Sequence, residues 1–164
     1  MPFTLPNPRL LNALLAVAAA TLLGYAYYLQ LVVGLEPCPL CIFQRIALIV
    51  LIVVLAGATA HGARGRGAKA WAVLIGLAAL AGATIAVRHL WLQNLPPDLV
   101  PACGPPLDYL IEVLPPIDVL REVFTSSGEC AKVDWTLFGL AMPAWTLMAF
   151  TGFGAVGVWN NLRR

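Results

Sequence analysis

Charged side chains are scarce in this 164-residue chain. Lysine, arginine, aspartate and glutamate make up 11% of the residues, whereas 60% are hydrophobic. A soluble globular domain usually carries about 25% charged residues, so the composition excludes an ordinary water-soluble domain. The chain also has no internal repeat at a fixed period, which excludes a solenoid. We therefore expect residues 1–164 to form one small domain that is embedded in a membrane.

Long apolar runs, by contrast, are abundant. Four of them approach the ~20 residues that a helix needs to cross the hydrocarbon core of a bilayer. They lie at roughly residues 10–33, 42–60, 70–92 and 135–159. The runs predict an all-α fold, a four-helix bundle that spans the membrane. Ala18–Ala20 in the first run resembles a signal-peptidase site, but the run continues to Val33 and is too long for the apolar region of a signal peptide.

Acidic residues are missing from one end of the predicted bundle. All eight of them lie at the other end, in two loops at roughly residues 34–41 and 93–134. Six of the ten basic residues lie at the acid-free end: Arg9, Arg64, Arg66, Lys69, Arg163 and Arg164. Because basic residues mark the cytoplasmic side of membrane proteins, we expect both termini in the cytoplasm and both loops in the bacterial periplasm. This distribution predicts a multi-pass protein of the inner membrane.

The short basic segment His61–Lys69 also has a second interpretation, as a patch that binds nucleic acid. The segment is rich in glycine and is flanked by two predicted spans. These features favour a solvated loop whose positive charge sets the topology of the neighbouring spans. We therefore expect no nucleic-acid partner.

Cysteine is absent from all four predicted spans. The two predicted periplasmic loops contain every cysteine of the chain: Cys38, Cys41, Cys103 and Cys130. Free cysteines that serve only in packing would be expected among the apolar helices, and disulfides persist in the periplasm. The four residues are therefore expected either to carry out redox chemistry or to form structural disulfides.

Two metal-centred alternatives fit the cysteine spacing poorly. A zinc site could use all four cysteines, but Cys103 and Cys130 are 27 positions apart, a second CxxC motif is missing, and the compartment is oxidising. Covalent haem attachment requires CxxCH, whereas Ile42 follows Cys41. We therefore expect no metal site, while a pair of structural disulfides stays an open alternative.

The first cysteine pair has a setting that suits thiol chemistry. The spacing of Cys38 and Cys41 lets their sulfurs form a disulfide and return to a dithiol. Cys41 begins the second predicted span, where the positive helix terminus favours an anion. Arg45 lies four residues later on the same helix face and adds a positive charge. Cys41 is thus the better candidate for a stabilised thiolate, with Cys38 as its exchange partner. Alternatively, Arg45 extends to the lipid headgroups.

Prolines divide the long predicted loop, 93–134, into short pieces. Two pieces have apolar residues at helical spacing: Leu107, Leu110, Ile111 and Leu114 in the first, and Ile117, Leu120, Val123 and Phe124 in the second. A segment of this kind between two spans is expected to lie flat on the membrane as a short amphipathic interfacial helix. A partly ordered loop is the alternative.

A disulfide relay at the membrane surface needs an electron acceptor, and the natural lipid-soluble acceptor of two electrons is a quinone. Arg88, His89 and Gln93 end the third predicted span at the same surface as the CxxC motif. An ionisable residue at a membrane edge indicates a functional site. His89 or Arg45 is therefore a candidate to hydrogen-bond a quinone carbonyl oxygen. The alternative is that Arg88 and His89 only cap and anchor the helix.

These residues together resemble the disulfide bond formation protein B family, DsbB, over nearly the whole chain. The resemblance rests on PCPLCIFQR at 37–45, RHLWLQ at 88–93, PAC at 101–103, GEC at 128–130 and GLAMPAW at 139–145. The order is also shared, with a CxxC motif between the first two spans and two separated cysteines between the last two. The resemblance implies an enzyme that reoxidises a periplasmic thioredoxin-like oxidase of the DsbA type and passes the electrons to ubiquinone or menaquinone.

The resemblance also implies roles for the four cysteines. Cys103, paired with Cys130, is the sulfur that the reduced partner attacks. Cys38, paired with Cys41, then regenerates the outer pair. Cys41 is the thiolate that engages the quinone. These roles and both pairings are implied by the resemblance alone.

The resemblance further implies that Arg45 lies beside the Cys41 thiolate and that His89 lies near the quinone. Three other interpretations stay open. A quinone reductase of the vitamin K epoxide reductase type uses similar chemistry, but its CxxC motif follows the loop cysteines in sequence. The others are a non-catalytic membrane scaffold with two structural disulfides, and a specialised relative that serves one dedicated oxidase.

Overall fold

The computed structural model describes residues 7–105, 107–125 and 128–163. This part of the chain contains the α-helices α1 (Pro8–Leu31), α2 (Pro39–His61), α3 (Arg66–Gln93), α4 (Leu107–Val113), α5 (Pro116–Thr125) and α6 (Met142–Leu162). Short 3-10 helices lie at Pro97–Leu99 and Gly128–Ala131. An antiparallel hairpin joins β1 (Thr136–Leu137) to β2 (Leu140–Ala141).

Four long helices, α1, α2, α3 and α6, form a bundle, and the predicted all-α membrane fold is confirmed. Within the described ranges, α1, α2 and α3 are long and apolar enough to cross a membrane. Pro8 and Pro39 occupy the first positions of α1 and α2, where a missing N–H group costs no hydrogen bond. Helix α2 ends at Gly62, whose φ of 56° is a conformation that glycine adopts without strain. The short connection that follows makes α2 and α3 antiparallel neighbours.

The contact between α3 and α6 is very close. A Cβ atom added to Gly82 of α3 would lie 2.2 Å from the Phe150 ring, and one added to Gly154 of α6 would lie 2.6 Å from the Ala79 Cβ atom. These distances leave no room for a side chain, so glycine allows the two helices to approach, as small residues do in membrane bundles. The buried core beside this contact contains Leu51, Leu55, Ala58, Ile75, Ala78, Ala79 and Phe150.

The fourth bundle helix begins later than its apolar run indicates. The sequence predicts a span from Trp135, whereas α6 begins at Met142. Residues 136–141 instead form the hairpin, and its two turn residues, Phe138 and Gly139, have φ values of 51° and 79°. Positive φ at both central positions is typical of a tight two-residue hairpin turn. The same values are incompatible with a continuous right-handed helix.

The loop between α3 and α6 contains two short helices rather than one. They pack over the end of the bundle that carries the cysteines, and the buried contacts there form one cluster: Leu40, Leu92, Leu110, Val119, Val123 and Cys130. Two residues of the predicted apolar face of α5, Ile117 and Leu120, are exposed rather than packed against the bundle. The buried face is set instead by Val119 and Val123, which are four residues apart. The membrane-surface orientation of this segment stays a prediction.

Candidate active site

The CxxC motif lies at the start of α2. Cys38 caps the helix with an extended backbone, Pro39 takes the first helical position, and Cys41 lies in the first turn. This arrangement brings the two sulfurs together, and the Cys38 thiol donates a hydrogen bond to the Cys41 Sγ atom over 3.2 Å. Both residues are partly buried free thiols. The predicted exchange pair is therefore adjacent in space, while its disulfide stays a prediction.

His89 of α3 joins the pair from a distant part of the sequence. Its Nε2 atom lies 3.8 Å from the Cys38 Sγ atom, and the residue is buried. The amide nitrogen of the Gln93 side chain lies 3.4 Å from the same Nε2 atom and donates to the Lys132 carbonyl over 3.3 Å. The His89 ring therefore presents its Nε2 atom both to the thiols and to the Gln93 side chain.

Cys130 reaches the same cluster from the long loop. It is 1% exposed and belongs to the buried cluster against which Cys38 packs. The neighbouring Cys38 thiol, together with burial, raises the pKa of the Cys130 thiol above its ordinary value. The Cys130 thiol lowers the pKa of Cys38, but the bond that Cys38 donates to Cys41, burial and the negative charge of Cys41 raise it to about 12. Cys130 thus lies close to Cys38, whose thiol donates to Cys41.

Cys103 is separate from these three cysteines. It is exposed and lies between the 3-10 helix Pro97–Leu99 and α4. Its segment nevertheless packs against the turn that carries Cys130, since a Cβ atom added to Gly128 would lie 2.1 Å from the Pro101 carbonyl oxygen. The two loop cysteines therefore lie on adjoining backbone segments, one accessible to a soluble protein and the other buried.

A cavity of about 250 Å³ opens beside the thiols. Helices α1 and α2, the start of α6 and the residues around the hairpin form its walls, and most of the lining is apolar, including Leu22, Ala26, Leu48, Met142, Pro143 and Phe150. The predicted site residues Cys38, Cys41, Arg45 and His89 also reach it. The redox pair, the cation and the histidine thus share one apolar site.

Arg45 is held by α1. Its guanidinium donates to the Gln30 side-chain oxygen and, over 3.0 Å, to the Ala26 carbonyl, and it lies 5.0 Å from the centre of the Tyr27 ring. The contacts keep the positive charge at the cavity wall, which disfavours the alternative that Arg45 extends to the headgroups. The catalytic role of Arg45 stays a prediction, and the sequence analysis did not identify Gln30 as its partner.

Arg88 has a different environment from His89, its neighbour in sequence. Its guanidinium donates to the Phe124 carbonyl over 2.8 Å and lies 4.3 Å from the centre of the Trp91 ring. These contacts tie the end of α3 to the end of α5. The anchoring alternative therefore describes Arg88, whereas His89 faces the thiols.

Three buried polar atoms have no hydrogen-bond partner among the residues that the structure describes: Gln44 Nε2, His89 Nδ1 and Gln93 Oε1. All three side chains line the cavity. Because buried polar atoms in proteins are normally paired, a ligand with polar atoms of its own is expected to satisfy them. The sequence analysis missed Gln44, although an amide beside Arg45 at the start of an apolar run is a visible signal.

Comparison with known proteins identifies the family. The model of the family "Disulfide bond formation protein DsbB" matches residues 8–160. A disulfide bond formation protein B from Hahella chejuensis is 48% identical over 164 residues, which cover 100% of this chain and 99% of the relative. A protein of the same name from Methylococcus capsulatus is 45% identical over 163 residues, which cover 98% of this chain and 99% of the relative. Another, from Acinetobacter baumannii, is 46% identical over 156 residues, which cover 94% of this chain and 91% of the relative. The chain therefore belongs to the DsbB family, whose members are thiol–disulfide oxidoreductases of the inner membrane.

Proposed function

We propose that this protein reoxidises a periplasmic thioredoxin-like oxidase of the DsbA type and passes the two electrons to a membrane quinone, ubiquinone or menaquinone. One observation carries the proposal: the Cys38–Cys41 thiol pair lies against an apolar cavity in a membrane bundle. An apolar site suits a lipid-soluble acceptor, whereas exchange with a soluble protein needs an exposed cysteine such as Cys103. The chain has both features at the same end.

The first exchange takes place at Cys103. A thiolate of the reduced partner attacks the Cys103 sulfur of a Cys103–Cys130 disulfide, and Cys130 leaves as a thiolate. The second thiolate of the partner then displaces Cys103, so that the partner gains a disulfide and the enzyme holds a dithiol. The exposure of Cys103 and the burial of Cys130 support attack at Cys103, because exchange depends on access to the sulfur.

The second exchange moves the electrons from the outer pair to the CxxC pair. The Cys130 thiolate attacks the Cys38 sulfur of the Cys38–Cys41 disulfide, and Cys41 leaves as a thiolate. Cys103 then displaces Cys38, which restores the Cys103–Cys130 disulfide and leaves Cys38 and Cys41 reduced. The packing of Cys38 against the buried cluster that contains Cys130 supports this route, because it keeps the two residues close together.

The final step regenerates the CxxC disulfide. When bound, a quinone supplies the acceptor for two electrons and two protons. Cys41, Arg45 and His89 would hold it, and the unpartnered Gln44 Nε2 atom offers a further donor to a carbonyl oxygen. Arg45 places a positive charge at the cavity wall and so favours the Cys41 thiolate. The His89 ring, whose Nε2 atom lies 3.8 Å from the Cys38 sulfur, offers a group for proton transfer.

The proposed function also requires a defined topology. The cysteine-bearing end of the bundle faces the periplasm, where the partner oxidase is located, and both termini face the cytoplasm. The distribution of charge supports this orientation, since the loop between α2 and α3 is basic and all eight acidic residues lie at the other end.

The test combines the purified protein with a reduced DsbA-type partner and with each quinone in turn, and follows quinone absorbance and partner thiols together. We expect equal amounts of partner disulfide and quinol to form, and no quinol with the control variant Cys41→Ser. Partner oxidation without quinone consumption would contradict the proposed acceptor. Absence of both reactions would favour a non-catalytic scaffold.

A further inference from the structure

Folding assembles a set of metal ligands that the sequence spacing does not reveal. The Sγ atoms of Cys38 and Cys41 and a ring nitrogen of His89 all lie within 4.8 Å of one another. His89 is buried, and the two cysteines are partly buried. The spacing of the cysteines alone does not indicate this site, because α3 brings its histidine to the start of α2 from 51 positions away.

The separations of these atoms are close to those of a tetrahedral metal site. A metal that binds thiolates at about 2.3 Å and imidazole at about 2.0 Å places two sulfurs about 3.8 Å apart and a sulfur and a nitrogen about 3.5 Å apart. The sulfurs of Cys38 and Cys41 are 3.2 Å apart, and the Cys38 sulfur lies 3.8 Å from His89 Nε2. Side-chain shifts of roughly half an ångström would therefore complete the geometry.

The donor atoms also have the required chemistry. His89 Nε2 faces the Cys38 sulfur, and a neutral imidazole nitrogen is a common metal ligand. Two cysteines and one histidine are a ligand set of zinc sites that keep the fourth position open.

We propose that the fully reduced protein binds one soft divalent cation, Zn²⁺ or Cd²⁺, through Cys38, Cys41 and His89. Binding releases the thiol protons to solvent and forms metal–sulfur bonds, with no change in oxidation state. A disulfide has no thiolate to offer, so the oxidised protein does not bind. The site therefore exists only after electrons have reached the CxxC pair, and a bound cation blocks their transfer to the acceptor.

Cadmium is a suitable probe, because sulfur-to-cadmium charge transfer absorbs in the near ultraviolet. The reduced protein, freed of reductant and kept anaerobic in detergent, is titrated with Cd²⁺, and Zn²⁺ is then measured by competition with a chromophoric chelator. We expect one ion per chain in the reduced protein and none in the oxidised protein. His89→Ala should weaken binding by at least about tenfold, since loss of a group that only orients a metal ligand already costs about 10- to 100-fold.

Cys103→Ser is the matched control, because it removes an exposed thiol outside the cluster. Its affinity and stoichiometry should equal those of the wild type, whereas Cys41→Ser should bind more weakly. Equal losses in the two serine variants would indicate adventitious binding to thiols and would overturn the proposal. Cadmium NMR of the wild-type complex provides a measurement that does not depend on the folding of any variant. A spectrum that lacks a nitrogen ligand would also overturn the proposal.

Discussion

The two ends of the bundle bury polar side chains in opposite ways. At the end that carries the termini, Asn12, Asn160 and Asn161 are at most 1% exposed and form a closed set of hydrogen bonds. Asn160 also donates to the Pro8 carbonyl and Asn161 to the Gly157 carbonyl. This network joins α1 to α6, and a fully paired buried network stabilises one arrangement of the helices.

At the thiol end, Gln44, His89 and Gln93 each keep one buried polar atom that has no partner within the described part of the chain. An unpaired buried polar atom costs about 1–3 kcal/mol. The paired asparagines therefore mark a structural contact, whereas the unpaired groups mark a place where a ligand completes the hydrogen bonds. Variants at the two ends test this distinction.

The largest expected effect concerns Cys103, the exposed cysteine that a soluble partner can reach. Cys103→Ser should abolish the mixed disulfide with a single-cysteine DsbA-type partner, because Cys103 is exposed and Cys130 is buried. The Cys38–Cys41 pair should still react with quinone, since it lies apart from Cys103. Trapping is measured on non-reducing gels. If this variant traps the partner as well as the wild type does, the attacked sulfur belongs to another cysteine.

The next largest effect is expected at Arg45. Removal of a nearby positive charge raises the pKa of a thiol by about one unit or more, which lowers the ratio of thiolate to thiol about tenfold. Arg45→Met should therefore slow quinone reduction by about that factor, through a higher KM, a lower kcat or both. Arg45→Lys should recover only part of the rate, because lysine lacks the planar fork that reaches both Gln30 and the Ala26 carbonyl.

The readout for both Arg45 variants is steady-state quinone reduction, with capture of the partner at Cys103 as the internal control. Capture should be unchanged, since Cys103 is exposed in another loop. Wild-type quinone kinetics in Arg45→Met would show that this residue only joins α2 to α1.

A change in the asparagine network, at the end of the bundle that carries the termini, should affect stability rather than catalysis. Asn12→Leu removes the amide that donates to the Asn161 side-chain oxygen and the acceptor shared by Asn160 and Asn161. The free energy of unfolding should fall by about 1–3 kcal/mol, the cost of a buried polar group that loses its partner. Thermal unfolding in detergent measures the loss. The KM for quinone should stay at the wild-type value, and a raised KM would mean that the two ends are coupled.

The smallest effect is expected at Gln44. Here the KM for quinone should change and the stability should not, which is the opposite of the result expected for Asn12. Gln44→Met removes the unpaired Nε2 atom, and the Thr146 hydroxyl keeps its bond to the Pro143 carbonyl. Stability should therefore change little. Loss of one hydrogen bond to the ligand, about 0.5–1.5 kcal/mol, should raise the KM for quinone by about twofold to tenfold. A clear loss of stability with an unchanged KM would contradict the assignment of Gln44 to the ligand site.

Local features of the sequence predicted the helices and the thiol chemistry well. The long helices follow from the apolar runs, and the CxxC motif was placed at a helix start because it directly precedes the second run. The hairpin was not predicted, because residues 136–141 are nearly as apolar as the helix that follows. Only the turn at Phe138 and Gly139 distinguishes the two, and a bulky residue with positive φ is rare.

The spacing of residues in the sequence did not predict contacts between distant segments. His89 and Cys38 are 51 positions apart, and Asn12 and Asn161 are 149 positions apart. Whether such groups meet depends on how the helices pack, which a pattern within one helix does not encode. The same reason explains why the sequence analysis did not link Arg45 to Gln30.

The close packing of α3 on α6 has a consequence for α1. Gly82 and Gly154 lie where the two helices are very close, because a Cβ atom at either position would overlap side-chain atoms of the other helix. By contrast, only 11% of the most apolar stretch of α1 is buried, against 28% in α2 and in α3. We therefore expect a molecule too large for the cavity to displace α1 outward. We expect relatives that use acceptors with bulkier ring substituents to differ first in the residues of α1.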